Sequence, residues 1–327
     1  MAGFDRDCVI EKHTCLNDSV YNSVDKGDLM ETICLGSILL LRVFQKISSK
    51  ACSNEMPADS AGVSAYMSVQ FGISAVFALV LFLFTESTEE AVRGLSALGW
   101  IISAATGLAL TVSLICSLLA LHGSSIVLGA LFSMAGLLVP TVGGIFIFGQ
   151  KVSLLQWGGI VFLFVSAYFL SSASQKTNGK LTFKTLLLLL GSMLANGCTM
   201  LFQTLYKAFV PDGSVTLYSF LQFAIPSLAM LAVFGVKRGL KKKYSVSFSR
   251  KLIFFTAVAS ISLFGISQIS TIASEIIPIA VLFPVSDGGG MVISAIVAAA
   301  VYKEKLSVKS GLGIIIGIIA VCVMKLG

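Results

Sequence analysis

FGQKVSLLQWGGIVFLFV (148–165) and YKEKLSVKSGLGIIIGII (302–319) carry one pattern twice. Each is a short connection, a Lys-x-Ser step and then an apolar helix containing glycine. At a constant offset Lys151 matches Lys305, Ser153 matches Ser307 and Gly159 matches Gly313. A second pair lies earlier in the chain. AYMSVQFGIS (65–74) aligns with LYSFLQFAIP (217–226), setting Tyr66 on Tyr218, Gln70 on Gln222 and Phe71 on Phe223. Just upstream of each, VFQK (43–46) resembles LFQT (201–204). The matches keep the same order at nearly the same offset, so the chain reads as two copies of one unit.

The composition says which solvent the units occupy. Of 327 residues, 56% are hydrophobic and only 12% charged, and the mean hydropathy is +0.93. Soluble domains carry about 25% charged residues, and this chain has too few to cover itself with a polar surface. A soluble enzyme, a disordered chain and a nucleic-acid binder are excluded, the last despite the net charge of +7. The expected solvent is lipid, and the expected location is the cell membrane as a multi-pass protein.

Nine strong apolar segments follow: Val63–Phe84, Leu98–Leu121, Ile126–Phe148, Leu154–Leu170, Leu186–Leu205, Val215–Val236, Leu252–Ile272, Ile276–Val301 and Val308–Met324. Most approach the roughly 20 residues a spanning helix needs. They are too long for the alternating ten-residue strands of a barrel. A tenth segment, Leu29–Phe44, is weaker, because Glu31 and Arg42 interrupt it. Both charges lie near its ends, from which long side chains reach the interface. The repeat decides in its favour, since it pairs with Leu186–Leu205. The expected fold is therefore all-α, with ten transmembrane helices in two five-helix units. The first unit runs over residues 29–172 and the second over 181–326, after a polar N-terminal tail, 1–28, that has no signal-peptide pattern. Five is odd, so the second unit enters the membrane inverted. Inverted repeats characterise secondary transporters, whose site lies near the midplane between the repeats.

These features resemble the drug/metabolite transporter superfamily, and within it the EamA-like ten-helix members. The family typically carries Gly-Glu before the last helix of each half. This chain has Gly149-Gln150 and Lys303-Glu304, so each half keeps one of the two residues. The resemblance covers about residues 29–325. It implies a carrier of small polar metabolites with a central cavity, and both termini in the cytoplasm. Lys/Arg bias opposes that orientation, placing the 237–251 loop inside.

Asp287 is the sharpest candidate for chemistry. Apart from Lys309 at a segment edge, it is the only charged residue in segments two to ten. An ionisable group at such depth is a functional candidate. It sits in FPVSDGGGMVIS (283–294), where Pro284 removes a backbone donor and the glycines let another helix approach. A carboxylate on so loosened a helix can bind a cation, a proton or an amino group, so Asp287 is a candidate for coupling as well as for substrate binding, with Ser286 beside it. The alternative is a structural Asp bonded to a neighbouring helix. Tyr66/Gln70 and Tyr218/Gln222 are each spaced i, i+4 and share a helical face. Their recurrence suggests two related surfaces on one cavity, against the alternative of helix–helix contact. Gln45 and Gln203 fit either role, while Ser192, Asn196 and Gln268 read as structural hydrogen bonders.

The remaining classes find little support. Seven scattered cysteines form no disulfide framework. Two histidines give no metal centre, so neither metal nor cofactor is expected. There is no Walker A motif, no GxSxG and no cluster of acids, so no catalytic residue is assigned and an enzyme is not expected. The KRGLKKK run (237–243) reads as a solvated, topology-setting loop, with a patch that attracts anionic lipid or phosphate as the alternative. The expected function is a secondary carrier of a small polar metabolite working by alternating access, with the lipid bilayer as surroundings and a homodimer as a compatible assembly. A membrane scaffold or channel-like protein without carrier activity is the alternative.

Overall fold

A computed structural model describes residues 29–49, 51–52, 60–85, 96–120, 132, 135–172, 183–240, 249–300 and 308–326. The tail 1–28, the 241–243 end of the basic run and Lys303-Glu304 lie outside the described residues. Among those residues the chain is helical, with no strand. In chain order the helices are α1 (29–49), α2 (Ser60–Thr85), α3 (Ala97–Ala120), α4 (Leu138–Phe148), α5 (Leu154–Ser172), α6 (Phe183–Phe209), α7 (Val215–Leu240) and α8 (Arg250–Ala273). α9 comprises Ile279–Phe283, Pro284–Gly288 and Gly289–Ala300, and α10 is Val308–Leu326.

Local chemistry sets the ends. Gly149 closes α4 with φ +62°, and the Gln150 N–H donates back to Gly144 O at 3.1 Å. A left-handed residue at this position commonly ends a helix, and glycine takes it without a Cβ penalty. Ser153 and Gln156 open α5 as a reciprocal capping box: Ser153 Oγ accepts from Gln156 N at 3.1 Å, and Gln156 Oε1 from Ser153 N at 3.0 Å. The Lys-x-Ser step at 151–153 is thus a helix start, while Lys305 and Ser307 lie outside the described residues. Ser214 caps α7 and Ser249 caps α8 in the simpler way, each accepting from the N–H three residues on.

Among the described residues, five helical stretches are long and apolar enough to cross a membrane: Ala61–Thr85, Ala97–Ser117, Phe183–Phe209, Val215–Gly239 and Arg250–Ala273. The outer faces stay apolar, with Phe84 86% and Leu154 90% exposed. Apolar surface this extensive suits lipid rather than water. The interior is instead rich in hydroxyls, among them Ser74, Ser103, Thr106, Ser219, Ser260 and Thr271. Many bond to the carbonyl one turn back, as Thr106 does to Ile102 O and Thr111 to Gly107 O. That satisfies a polar group where no water reaches it.

The helices pack in a definite scheme. The broadest contacts are α5 on α10, α2 on α7 and α3 on α6, followed by α3 on α7 and α2 on α8. α4 packs on α6 and on α9. Small residues set the close crossings. A Cβ on Gly197 would lie 2.4 Å from Gly136 O, and one on Gly159 would lie 3.0 Å from Ala320 O. Ser68 and Ser227 tie α2 to α7 reciprocally, each hydroxyl donating to the other's carbonyl at 3.0 and 2.9 Å. One large cluster joins Leu35 and Ile38 of α1, Ile160 and Leu163 of α5, Leu282 and Val285 of α9, and Ala320 and Met324 of α10.

Candidate functional site: a charged cavity between the helices

α1, α2, α3, α6, α7, α8 and α9 line an open cavity of about 440 Å³. Its walls are amphipathic. Leu110, Met200, Leu263, Ile266, Phe283 and Met291 are apolar, and Phe71 stacks on Phe223 with ring centroids 6.1 Å apart. Asn196, Thr199, Gln203, Gln222, Ser267, Ser270 and Ser286 are polar, and Arg42, Lys46 and Asp287 carry the charges.

The break in α9 explains how Asp287 reaches the cavity. Pro284 lacks an N–H, so the regular bonding of the helix cannot continue through it. The chain widens into a π turn over Pro284–Gly288 and resumes as α-helix at Gly289. Such bulges often mark functional positions. The glycines after Asp287 admit two neighbours. A Cβ on Gly288 would lie 2.6 Å from Leu163 Cδ1 of α5, and one on Gly290 would lie 3.3 Å from Arg42 Cδ of α1.

Arg42 is the partner that brings Asp287 into focus. Its Nη2 donates to Asp287 Oδ1 as an ion pair and to Ser286 Oγ at 3.3 Å. Its Nη1 reaches Gln45 Oε1 at 3.4 Å. The sequence expectation that Arg42 reaches toward the interface is corrected here, because the guanidinium turns inward to a carboxylate. Charge pairing outweighs snorkelling where a counter-ion lies within reach. Lys46 follows Arg42 one turn on, lining the same cavity. Among the described residues the ion pairs are Arg42–Asp287 and Lys207–Glu275, and neither includes Lys46.

A polar strip on the same cavity joins three helices. Gln203 Nε2 of α6 donates to Ser267 O at 3.0 Å and to Thr271 Oγ1 at 2.7 Å on α8. Ser267 Oγ donates to Gln222 Oε1 of α7 at 2.9 Å.

Three of the six expected site residues, Gln222, Ser286 and Asp287, line the cavity. Tyr66, Gln70 and Tyr218 are not among its lining residues. Tyr66 packs against Cys52 and Leu252. Tyr218 stacks on Tyr206, with centroids 4.4 Å apart, and donates to Thr106 Oγ1 at 3.3 Å. The Gln70 carbonyl accepts from Ser260 Oγ at 2.9 Å across the α2–α8 contact. Ser192 meets Ser117 Oγ at the α3–α6 contact, while Asn196 lines the cavity. Sequence reasoning missed Arg42 and Lys46 as site residues. The signal available was their i, i+4 spacing in an otherwise apolar helix, which puts two cations on one face.

Comparison with known proteins bears on the fold alone. No family model and no curated protein matches the chain. Among solved structures 28 chains are similar. One, described simply as a crystal structure of a protein, superposes with a TM-score of 0.71 at 12% identity, covering 90% of this chain and 96% of that one.

Proposed function

We propose that the protein is a secondary transporter, a carrier of a small polar metabolite that works by alternating access between two inverted five-helix repeats spanning the membrane ten times. The observation that carries this reading is where sequence-equivalent residues meet. Phe71 and Phe223, matched by the internal repeat, stack on each other. Residues related by a two-fold axis touch their own equivalents only at that axis. The α5–α10 crossing repeats the relation. Gly159 matches Gly313, and the same offset carries Ser166 onto Ala320. Gly159 lies against Ala320 O, and Ser166 Oγ donates to Gly313 O at 2.6 Å. The first contact becomes the second when the halves are exchanged.

The helix pairing supports the same reading. Exchanging α1–α5 with α6–α10 returns α2·α7, α5·α10 and α4·α9 to themselves and turns α3·α7 into α2·α8. A polar cavity beside such an axis is the arrangement by which repeat-built transporters expose one site to either side. The resemblance to EamA-like drug/metabolite transporters belongs to this proposal, as do placement in the cell membrane and the absence of catalysis. A scaffold or channel-like protein is the competing reading.

Counterflow in liposomes tests it. Purified protein is reconstituted with a high internal concentration of each of a panel of amino acids, carboxylates, nucleosides and sugar phosphates, and labelled compound is supplied outside. A carrier gives transient accumulation of label for at least one compound above protein-free vesicles. Leakage of label without transient accumulation, or no flux across the panel, overturns carrier activity.

A further inference from the structure

We infer that the cavity takes a small organic monoanion, its carboxylate seated at Lys46 and Arg42 and its apolar body against the Phe71–Phe223 pair; this rests on the reading of the cavity as a transport site. The inference starts from a charge count. Among the charged groups lining the cavity are two cations on one face of α1 and a single carboxylate from α9. Arg42 holds that carboxylate. One positive charge therefore remains in excess on the cavity wall. Its complement is one negative charge brought by the ligand.

The rest of the lining argues for the size and character of the anion. Neutral amides and hydroxyls cover the wall away from α1. Gln222 spends its oxygen on Ser267, which turns its amide N–H groups to donor duty. A cavity of about 440 Å³ falls in the range of small-molecule sites, roughly 300–1,000 Å³. A phosphate monoester, at about −1.5 to −2, brings more charge than the excess here. A cation meets Lys46 and Arg42 with no free carboxylate among the described lining residues to receive it.

The test uses one skeleton in several charge states. Full-length purified protein in detergent is titrated with phenylacetate, phenylalanine, phenethylamine, 2-phenylethanol and phenyl phosphate, following thermal stability and direct binding. Phenylacetate is expected to raise the unfolding temperature most, and phenethylamine not at all. Lys46→Gln is expected to weaken phenylacetate binding by roughly 30-fold or more, since a charge pair is broken. Lys46→Arg should retain most of it. Lys46→Gln without ligand should be no less stable than wild type, which separates a binding role from a structural one. Preference for phenethylamine, equal response to every charge state, or unchanged binding in Lys46→Gln overturns the inference. Failure here is distinguishable from failure of the carrier reading. Phenylacetate that binds but gives no counterflow leaves the anion site and removes transport. Counterflow of a cationic or neutral compound alone does the reverse.

Discussion

Asp287→Asn isolates the charge of the one carboxylate among the described residues of the cavity wall while keeping its shape. The asparagine still offers an oxygen to Arg42 Nη2, so the hydrogen bond survives and the ion pair does not. Removing one partner of a buried pair costs about 3–5 kcal/mol, because the other charge stays behind without compensation. Here the Arg42 and Asp287 side chains retain 19% and 22% exposure. That partial exposure screens them, which lowers the expectation to about 2–3 kcal/mol. Lys46 adds to the loss, since it lines the same cavity and no anion there then offsets the two cations. At about 2–4 °C per kcal/mol, the apparent unfolding temperature in detergent should fall by about 4–12 °C. The double variant Arg42→Gln/Asp287→Asn removes both charges and should lose less than the sum of the single losses, with a coupling of about 1–2 kcal/mol. Scanning fluorimetry on the four proteins of this cycle, at one detergent and salt concentration, gives the number. Wild-type stability in Asp287→Asn, or strict additivity in the double variant, would show that the pair contributes nothing. The carboxylate would then be free for the proton or cation binding that the sequence suggests.

Two further predictions concern the backbone. Gly197→Ala sets a methyl 2.4 Å from Gly136 O and 2.5 Å from Val139 Cβ at the α4–α6 contact, and should cost about 1–3 kcal/mol. Gly235→Ala on α7 meets nothing within 4 Å and should be neutral or slightly stabilising, so the difference in unfolding temperature between the two checks the packing. Gly149→Ala holds a Cβ at φ +62° and should cost about 1 kcal/mol, with Gly149→Asn better tolerated in the same melt.

Much of the architecture was legible because it depends on local signals. Helix positions follow from runs of apolar residues, and the Lys-x-Ser step became a capping box at Ser153. Pro284 and the glycines behind Asp287 announced a break in α9 and close neighbours, and both are present. The site was harder to read because it depends on pairs distant in the chain. Arg42 and Asp287 are separated by 245 positions, and nothing in either local string names the other. The recurrence of Tyr and Gln was visible, but recurrence marks equivalent positions rather than cavity positions. Tyr66 and Tyr218 are equivalent in sequence and both buried among helices, whereas the Phe71 and Phe223 that follow them meet in the cavity. The i, i+4 rule places Tyr and Gln on one face without saying what that face meets.

Under the proposed inverted-repeat architecture the scaffold and the charges obey different symmetries, and the difference bears on how selectivity would arise. Phe71 and Phe223 are the same residue type at matched positions, and the α5–α10 contacts repeat across the halves. Matched through VFQK and LFQT, however, Arg42 corresponds to Met200 and Lys46 to Thr204. Gln45 and Gln203 correspond as well, yet Gln45 steadies Arg42 while Gln203 bonds to α8. A two-fold related pair of halves gives two arrangements of similar energy, which alternating access requires. Charges repeated in both halves would crowd four cations around one cavity and repel each other in surroundings of low dielectric. Confining the cations to α1 and the carboxylate to α9 leaves the packing that relates the halves untouched. Under the proposed function, substitutions at Arg42, Lys46 and Asp287 therefore change what the cavity accepts, while substitutions at Gly159, Ser166 and Gly197 change whether the halves fit together.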